Sequence, residues 1–407
     1  MLYEYRDRRE PYLFNLSLFI KGVGPSVQLP FCFDDLSLAP DLVDSGFKER
    51  QIEGEFTQTR FRIQNGIPDR ETSIMKCAYI NQPGPPEQLI YGEQPTPEIL
   101  PTQVLVKIGA AAINPIDTYI RNGTIPMPVE FPFIPGCDLA GTVEKTGSAV
   151  TRFRVGDRVW GSNQGLFKRQ GTLAEYAAVD EEWLYLTPAK MTDVQAAAGA
   201  LTGITAQLGL FQQAHLKTGE YVFVNGGAGG VGSMVVQFVK AAGAHVIATA
   251  GSTEKRDLCL ELGAETVLDY KSPQLDDQII AAVADHGGLD LWWETQREPN
   301  LNRSIGMMKK RGRIIVMAGR EAELTFKLGP FYTNDLKILG FAMFNATPYE
   351  QRVCADRMNE WFAAGQWKPL IGQQFPLSQA AAAHRLQEEN TLHGAGSLTG
   401  KIVVVPD

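Results

Sequence analysis

Two regimes of hydrophobic spacing divide the chain. From Met75 to about Ala196, short apolar runs alternate with polar positions and are cut repeatedly by Gly and Pro. Met75-Lys76-Cys77-Ala78-Tyr79-Ile80 opens this region as a strand. Val104–Ile108, Ala140–Glu144 and Gly156–Trp160 are further strand-and-turn units, the spacing of a small β-barrel. From about Ala197 the period lengthens. Apolar strands at Val222–Val224, Val246–Thr249, Thr266–Leu268, Leu289–Trp292 and Arg313–Met317 alternate with helical stretches. That alternation predicts a parallel sheet covered by helices on both faces. Beyond Leu336 a helical pattern runs through Cys354 to Phe362 and stops at Ala363-Ala364-Gly365. The last strand, Gly400-Lys401-Ile402-Val403-Val404-Val405, is placed to return to the first region.

The expected organisation is therefore a barrel-like first segment over 75–196, a parallel-sheet domain over 197–336 and a return to the first domain over 337–407. Residues 1–74 show no sustained period. They are expected to be a poorly ordered extension, or the product of a start assigned too far upstream.

The most informative stretch follows the strand Tyr221–Val224. It reads Asn225-Gly226-Gly227-Ala228-Gly229-Gly230-Val231-Gly232 and runs into an amphipathic helix. Gly227, Gly229 and Gly232 occupy the positions of a G-x-G-x-x-G dinucleotide cradle. The expected division of labour is a sharp turn at Gly227, close backbone approach to a pyrophosphate at Gly229, and close helix packing at Gly232. The helix N-terminus would present free N–H groups to the phosphates.

Composition narrows the classes further. At 407 residues the chain is long enough for two domains, and its 44% hydrophobic and 21% charged content is that of a globular protein. A net charge of −8 weighs against nucleic acid as a main partner. Five scattered cysteines with no C-x-x-C fit a reducing compartment, and a cytoplasmic setting is expected. The one signal-like stretch, Tyr12–Ile20, is short and broken by Asn15 and Ser17. No apolar run approaches a membrane span, so no membrane partner is expected. His215, His245, His286, His384 and His393 fall in no triad or metal spacing.

Several linked motifs carry a family likeness: Asn114-Pro115-Ile116-Asp117-Thr118-Tyr119-Ile120-Arg121, Ile134-Pro135-Gly136-Cys137-Asp138-Leu139-Ala140-Gly141, Gly156-Asp157-Arg158-Val159, the glycine loop, Trp367–Gly372 and Gly400-Lys401. Over residues 75–407 the chain resembles the medium-chain dehydrogenase/reductase superfamily, in its zeta-crystallin-like quinone oxidoreductase branch. The resemblance implies an α/β fold: a GroES-like β-barrel catalytic domain with an inserted Rossmann domain, and an active site in the cleft between them.

Zinc-dependent members place a Cys where this chain has Asn114, and a His-Glu pair where it has Cys137-Asp138. Their third ligand falls near Ala197–Ala200, where no side chain binds metal. Catalytic zinc needs three strong ligands, so no metal is expected and Cys137 reads as a small buried hydrophobe. Without a Lewis acid, the accessible chemistry is reduction of an already electrophilic acceptor.

The cofactor expected is NADPH. Gly251 stands where an NAD site would carry an acid, and Ser252, Lys255 and Arg256 follow as candidate partners of a 2′-phosphate. The resemblance maps Lys255 and Tyr270 onto that phosphate region and Thr205 onto a nicotinamide contact. It places Asn114 and Tyr119 at the reacting end, Asn114 as an amide donor to the acceptor carbonyl and Tyr119 as a hydrogen-bond donor or proton relay. Gly319 is expected beside the nicotinamide, Phe341 as a pocket wall and Lys401 among the cofactor contacts, with Gly226, Ala228, Gly230 and Val231 completing the cradle.

The activity expected is hydride transfer to a quinone or similar conjugated carbonyl. The alternative on the same scaffold is an enoyl or alkenal reductase. From another class, the alternative is an NADPH-binding protein recruited for a binding role, crystallin-like or RNA-binding. A homodimer or homotetramer is expected, as is common for this fold.

Overall fold

The computed structural model describes residues 73–407. The expectations for residues 1–72, including the Tyr12–Ile20 segment, lie outside the described residues.

A hairpin of β1 (Ile74–Tyr79) and β2 (Ile90–Pro95) precedes the catalytic sheet. That sheet begins with the long strand β3 (Gln103–Ile113), which leads through α1 (Pro115–Arg121) to β4 (Asp138–Thr146). It continues with β5 (Arg158–Gly161), β6 (Tyr176–Asp180) and β7 (Leu184–Leu186). Val104, Val106 and Ile108, two apart on β3, enter one core with Leu139, Val143, Val159 and Leu184, the period of a half-buried strand.

Helix α2 (Asp193–Gln207) carries the chain into the second domain. Thr192 caps it: Gln195 N–H donates to the Thr192 hydroxyl at 3.2 Å, and Thr192 N–H donates back to the Gln195 side chain at 3.0 Å. Ala196, Ala197, Ala198 and Ala200 are all buried on it. Small side chains let the helix lie close to its neighbours. With its π-helical continuation α2 forms an unbroken Asp193–Gln213 helix of 21 residues with mean hydropathy 1.2. The sequence expectation that no apolar run approaches a membrane span is corrected to that extent. The helix is 78% buried inside the protein, as a core helix is.

The second domain is a six-stranded sheet, parallel throughout. Its elements are β8 (Tyr221–Asn225), α3 (Gly230–Ala241), β9 (His245–Ala250), α4 (Thr253–Glu261), β10 (Thr266–Asp269), α5 (Leu275–Ala282), β11 (Leu289–Glu294), α6 (Leu301–Met307), β12 (Met308–Val316), α7 (Leu328–Thr333) and β13 (Lys337–Gly340). The strand order is β10-β9-β8-β11-β12-β13. Order therefore reverses between β8 and β11, the switch point at which such sheets take ligands. The expected domain edge at 336 moves: β13 pairs with β12, so the sheet runs on to Gly340. At four residues β13 is too short for its apolar pair Ile338-Leu339 to show a period in the sequence.

The chain returns through α8 (Pro348–Ala363), β14 (Ile371–Pro376), α9 (Ala380–Thr391) and β15 (Lys401–Val405). β15 inserts between β14 and β3 and closes the catalytic sheet in the order β14-β15-β3-β4-β5-β7, with β6 also on β3. Its first residue, Lys401, is thereby set against the end of β3.

Candidate active site

The glycine cradle follows β8. Gly226 has φ +92°, a conformation that favours glycine, so the sharp turn belongs to Gly226 and not to Gly227 as the motif suggests. A Cβ on Gly227 would lie 2.9 Å from the Ala248 methyl and 3.1 Å from the Cys259 sulfur. Gly227 is thus required by packing on β9 and α4. A Cβ on Gly232 would lie 2.1 Å from the Gly226 carbonyl oxygen, so α3 can seat on the turn only with glycine there. A Cβ on Gly229 meets nothing nearer than 3.5 Å. Open space at Gly229, and an α3 N-terminus without a side-chain cap, fit a phosphate-bearing group.

At the end of β9, Tyr270 lies across Gly251: a Cβ there would sit 2.4 Å from the Tyr270 hydroxyl. Ser252 caps α4 and accepts from Lys255 N–H at 3.3 Å. The Lys255 ammonium reaches the Gly396 carbonyl at 2.8 Å and the Leu398 carbonyl at 3.3 Å. Arg256 is paired with Asp269 at 3.0 Å, so its charge is answered within the protein rather than offered to a phosphate. A cleft of about 180 Å³ lined by Asn225, Tyr270, Trp292, Glu294 and Asn300 opens alongside.

A buried polar knot joins β3, α1, β4 and β15. Lys401 donates to the Ile113 carbonyl at 2.6 Å and to the Asn114 side-chain oxygen. Asn114 donates through its amide nitrogen to Asp138 at 2.8 Å. Ser162 donates to the other Asp138 oxygen at 2.6 Å. Asp117 accepts from Asn114 N–H at 2.7 Å and from the Cys137 thiol. All six side chains are buried. Burial pushes the Asp138 carboxyl up, opposed by the Lys401 charge, and pushes the Asp117 carboxyl up to about 7. Burial pulls Lys401 down, opposed by Asp138 and Asp117. It holds the Cys137 thiol well above its ordinary range, which keeps it unreactive.

Asn114 is therefore not the acceptor donor expected of it. Its oxygen faces an ammonium, and its amide nitrogen donates to the Asp138 carboxylate and, at 3.4 Å, to the Ala112 carbonyl, which occupies both N–H groups. Tyr119, one turn along α1, is half-buried, and its hydroxyl accepts from Arg297 at 2.9 Å. A guanidinium only donates, so the Tyr119 proton stays free to donate elsewhere.

Arg297 stands on the loop after β11, in contact with α1 through Tyr119. Three contacts shape that loop. Glu294, buried at the switch point, accepts from Asn225 at 2.9 and 3.1 Å, from the Trp292 indole at 3.0 Å and from Gln296 N–H at 2.8 Å. Thr295 donates to the Asn225 carbonyl. Gly319, at φ +79°, brings its Cα against the Arg297 carbonyl: a Cβ would lie 2.1 Å from that oxygen. Phe341 meets Trp293 edge to face at 6.3 Å, and Thr205 is buried on α2.

The fold thus places Asn114, Tyr119 and Lys401 on the catalytic sheet and its helix α1, and Gly226, Gly227, Ala228, Gly229, Gly230, Val231 and Gly232 on the turn from β8 into α3. The Lys401 stem crosses between them: its Cδ lies 3.6 Å from where a Gly230 Cβ would be. Gly251, Ser252, Lys255 and Tyr270 form a separate group at the end of β9. Sequence reading passed over Asp117, Ser162, Glu294 and Arg297. Only Asp117 carries a local signal, since Asn-x-x-Asp before a helix is capping-box spacing.

Such an architecture, a glycine cradle at the switch point of a parallel sheet facing a catalytic sheet across a cleft, defines a nicotinamide-dependent oxidoreductase. Residues 100–189 match the family model for an alcohol dehydrogenase GroES-like domain, and residues 230–360 match the model for a zinc-binding dehydrogenase. The chain is 33% identical over 335 residues to a quinone oxidoreductase of Pongo abelii, covering 82% of this chain and 98% of that protein. It is 32% identical over 320 residues to a chloroplastic NADPH-dependent alkenal/one oxidoreductase of Arabidopsis thaliana, covering 76% and 74%. The structure is similar to that of an Escherichia coli quinone oxidoreductase complexed with NADPH, with a TM-score of 0.70, 26% identity, and coverage of 81% and 100%. The chain belongs to the medium-chain dehydrogenase/reductase superfamily and is an oxidoreductase related to the quinone oxidoreductases.

Proposed function

We propose that the protein reduces quinones or similar conjugated carbonyls with NADPH and without zinc. The observation that carries this reading is the knot itself. Asn114, Cys137 and Asp138 stand where zinc-dependent members hold their metal ligands, and here Asn114 is bonded to both Asp138 and Lys401 while the Cys137 thiol faces Asp117. A cation is already built into the place where the metal would act. The bound nicotinamide supplies the hydride from its C4. The α3 N-terminus and Gly229 hold the phosphates, Thr205 and Phe341 lie at the nicotinamide end, and Tyr119 turns its free proton toward the acceptor oxygen that gains charge. Lys255 and Tyr270, with Ser252 and no acid at Gly251, support NADPH over NADH.

The Arabidopsis relative favours a second acceptor class, the alkenals and enones, which ask for the same oxygen-directed donor. A cytoplasmic homodimer or homotetramer belongs to the same reading. The test is nicotinamide oxidation with a panel of quinones and enones, repeated with NADH and with a chelator. Chelator-resistant turnover that prefers NADPH supports the reading, and Lys255→Ala should then raise KM for NADPH far more than for NADH. Tight NADPH binding with no turnover on any acceptor would replace it with a binding role.

A further inference from the structure

Arg297 has a single hydrogen-bond partner, the Tyr119 hydroxyl, and makes no ion pair among the described residues. It is a solvent-exposed guanidinium whose side chain is committed only to that hydroxyl. The loop that holds it is built rather than loose: Glu294 accepts from Gln296 N–H next to it, Thr295 is bonded to Asn225, and Gly319 packs on the Arg297 carbonyl. The contact also joins the two domains, since Arg297 belongs to the nucleotide-binding sheet and Tyr119 to the catalytic domain.

We propose that Arg297 is a positioning residue for Tyr119. It occupies a phenol lone pair so that the hydroxyl proton points to the acceptor, and it places a positive charge one bond behind that donor. The inference rests on the acceptor chemistry proposed above. In that reaction hydride adds to an acceptor carbon, the π electron pair moves onto the conjugated oxygen and the nicotinamide is left oxidised. The oxygen gains a negative charge, which solvent later neutralises with a proton. A cation behind the donor matters most when that charge forms, so the effect belongs in kcat rather than in cofactor binding.

The experiment is a double-mutant cycle of R297Q and Y119F, with R297K as the conservative variant. Each protein is measured for kcat and KM and, separately, for NADPH affinity. R297Q is expected to lower kcat by roughly tenfold or more with NADPH affinity unchanged, and R297K to recover part of the loss. In the Y119F background, R297Q should cost little further, because the two residues act as a unit. Losses that multiply, or a parallel fall in NADPH affinity, would overturn the proposal, as would a silent R297Q.

Activity is not the only readout. With 13C-labelled tyrosine and Y119F for assignment, the Tyr119 Cζ resonance should move in R297Q and move less in R297K. An unmoved resonance in both overturns the pairing. If the native protein reduces neither quinones nor enones, the acceptor reading fails by itself, and the resonance still decides whether Arg297 holds Tyr119.

Discussion

The Lys401 ammonium donates to the Asn114 side-chain oxygen, and this single bond fixes which way the Asn114 amide faces. With the oxygen turned to Lys401, the nitrogen must face Asp138, 2.8 Å away. The strand β15 therefore orients the N-cap residue of α1, and the carboxyl of Asp138 behind it gains a counter-charge.

It follows that Lys401→Met should be costly. It removes the positive charge that opposes the burial of the Asp138 carboxyl and the donor to Asn114, so the folded state should lose stability. Denaturant unfolding should show that loss together with reduced turnover. Lys401→Met combined with Asp138→Asn removes both charges and should unfold later than Lys401→Met alone. A double variant no better than the single one would mean that Lys401 acts through packing of its stem.

Asp117 should make stability fall as pH rises through the neutral range. Burial raises its carboxyl from an ordinary 3.8 to about 7, so between these values the folded chain holds a proton that the unfolded chain releases. Its contribution is complete below pH 3.8 and is lost as pH climbs to about 7, at about 1.4 kcal/mol per pH unit while the two states differ by a full proton. Asp117→Asn keeps a neutral acceptor for Asn114 N–H and removes the titration. The stability of that variant relative to the native protein should therefore grow from pH 4 to pH 7 and level off above. A difference that stays flat across the window would contradict the burial argument.

Much of this fold is legible in the sequence because its signals are local. The strands β8 to β12 and the closing strand β15 announce themselves by apolar runs between turn residues, and the cradle by glycines at fixed spacing. Pairing is what no local pattern carries. Arg297 and Tyr119 are 178 positions apart, and Lys401 and Asn114 are 287 apart. The family resemblance makes Asn114 a substrate contact, yet its amide is turned inward by a strand 287 positions further along the chain. In the same way Arg256 reads as a candidate phosphate ligand until the fold sets Asp269 beside it. Within the cradle, the consecutive glycines 226 and 227 cannot be told apart by motif, and only the backbone angle shows which one makes the turn.

His384 should act in the opposite sense to Asp117, on the acid side. It is fully buried, and neither ring nitrogen has a hydrogen-bond partner among the described residues. Burial, with the Arg121 charge beside it, pulls its pKa from 6.5 to about 3. The folded chain thus keeps it neutral where the unfolded chain would charge it. Its contribution is complete above pH 6.5 and is lost as pH falls toward 3, again at about 1.4 kcal/mol per pH unit. His384→Leu removes the titration and the two unpartnered nitrogens together. Acid unfolding of that variant should begin at lower pH than in the native protein, and an unchanged midpoint would show that the ring is already solvated.

Two alanine substitutions in the cradle should fail for different reasons. In Gly232→Ala the new methyl would lie 2.1 Å from the Gly226 carbonyl oxygen, so α3 must back away from the turn. Overpacking of that kind costs about 1–3 kcal/mol, and both thermal stability and NADPH affinity should drop. In Gly229→Ala the methyl meets no protein atom nearer than 3.5 Å, so the fold should tolerate it. That methyl instead fills the space the backbone leaves open for a phosphate, and NADPH affinity should fall with the melting temperature nearly unchanged. Calorimetric melting and cofactor titration of the two variants separate the outcomes. If Gly229→Ala binds NADPH as the native protein does, the phosphates do not pass over residue 229 and the cradle must be drawn elsewhere along the loop.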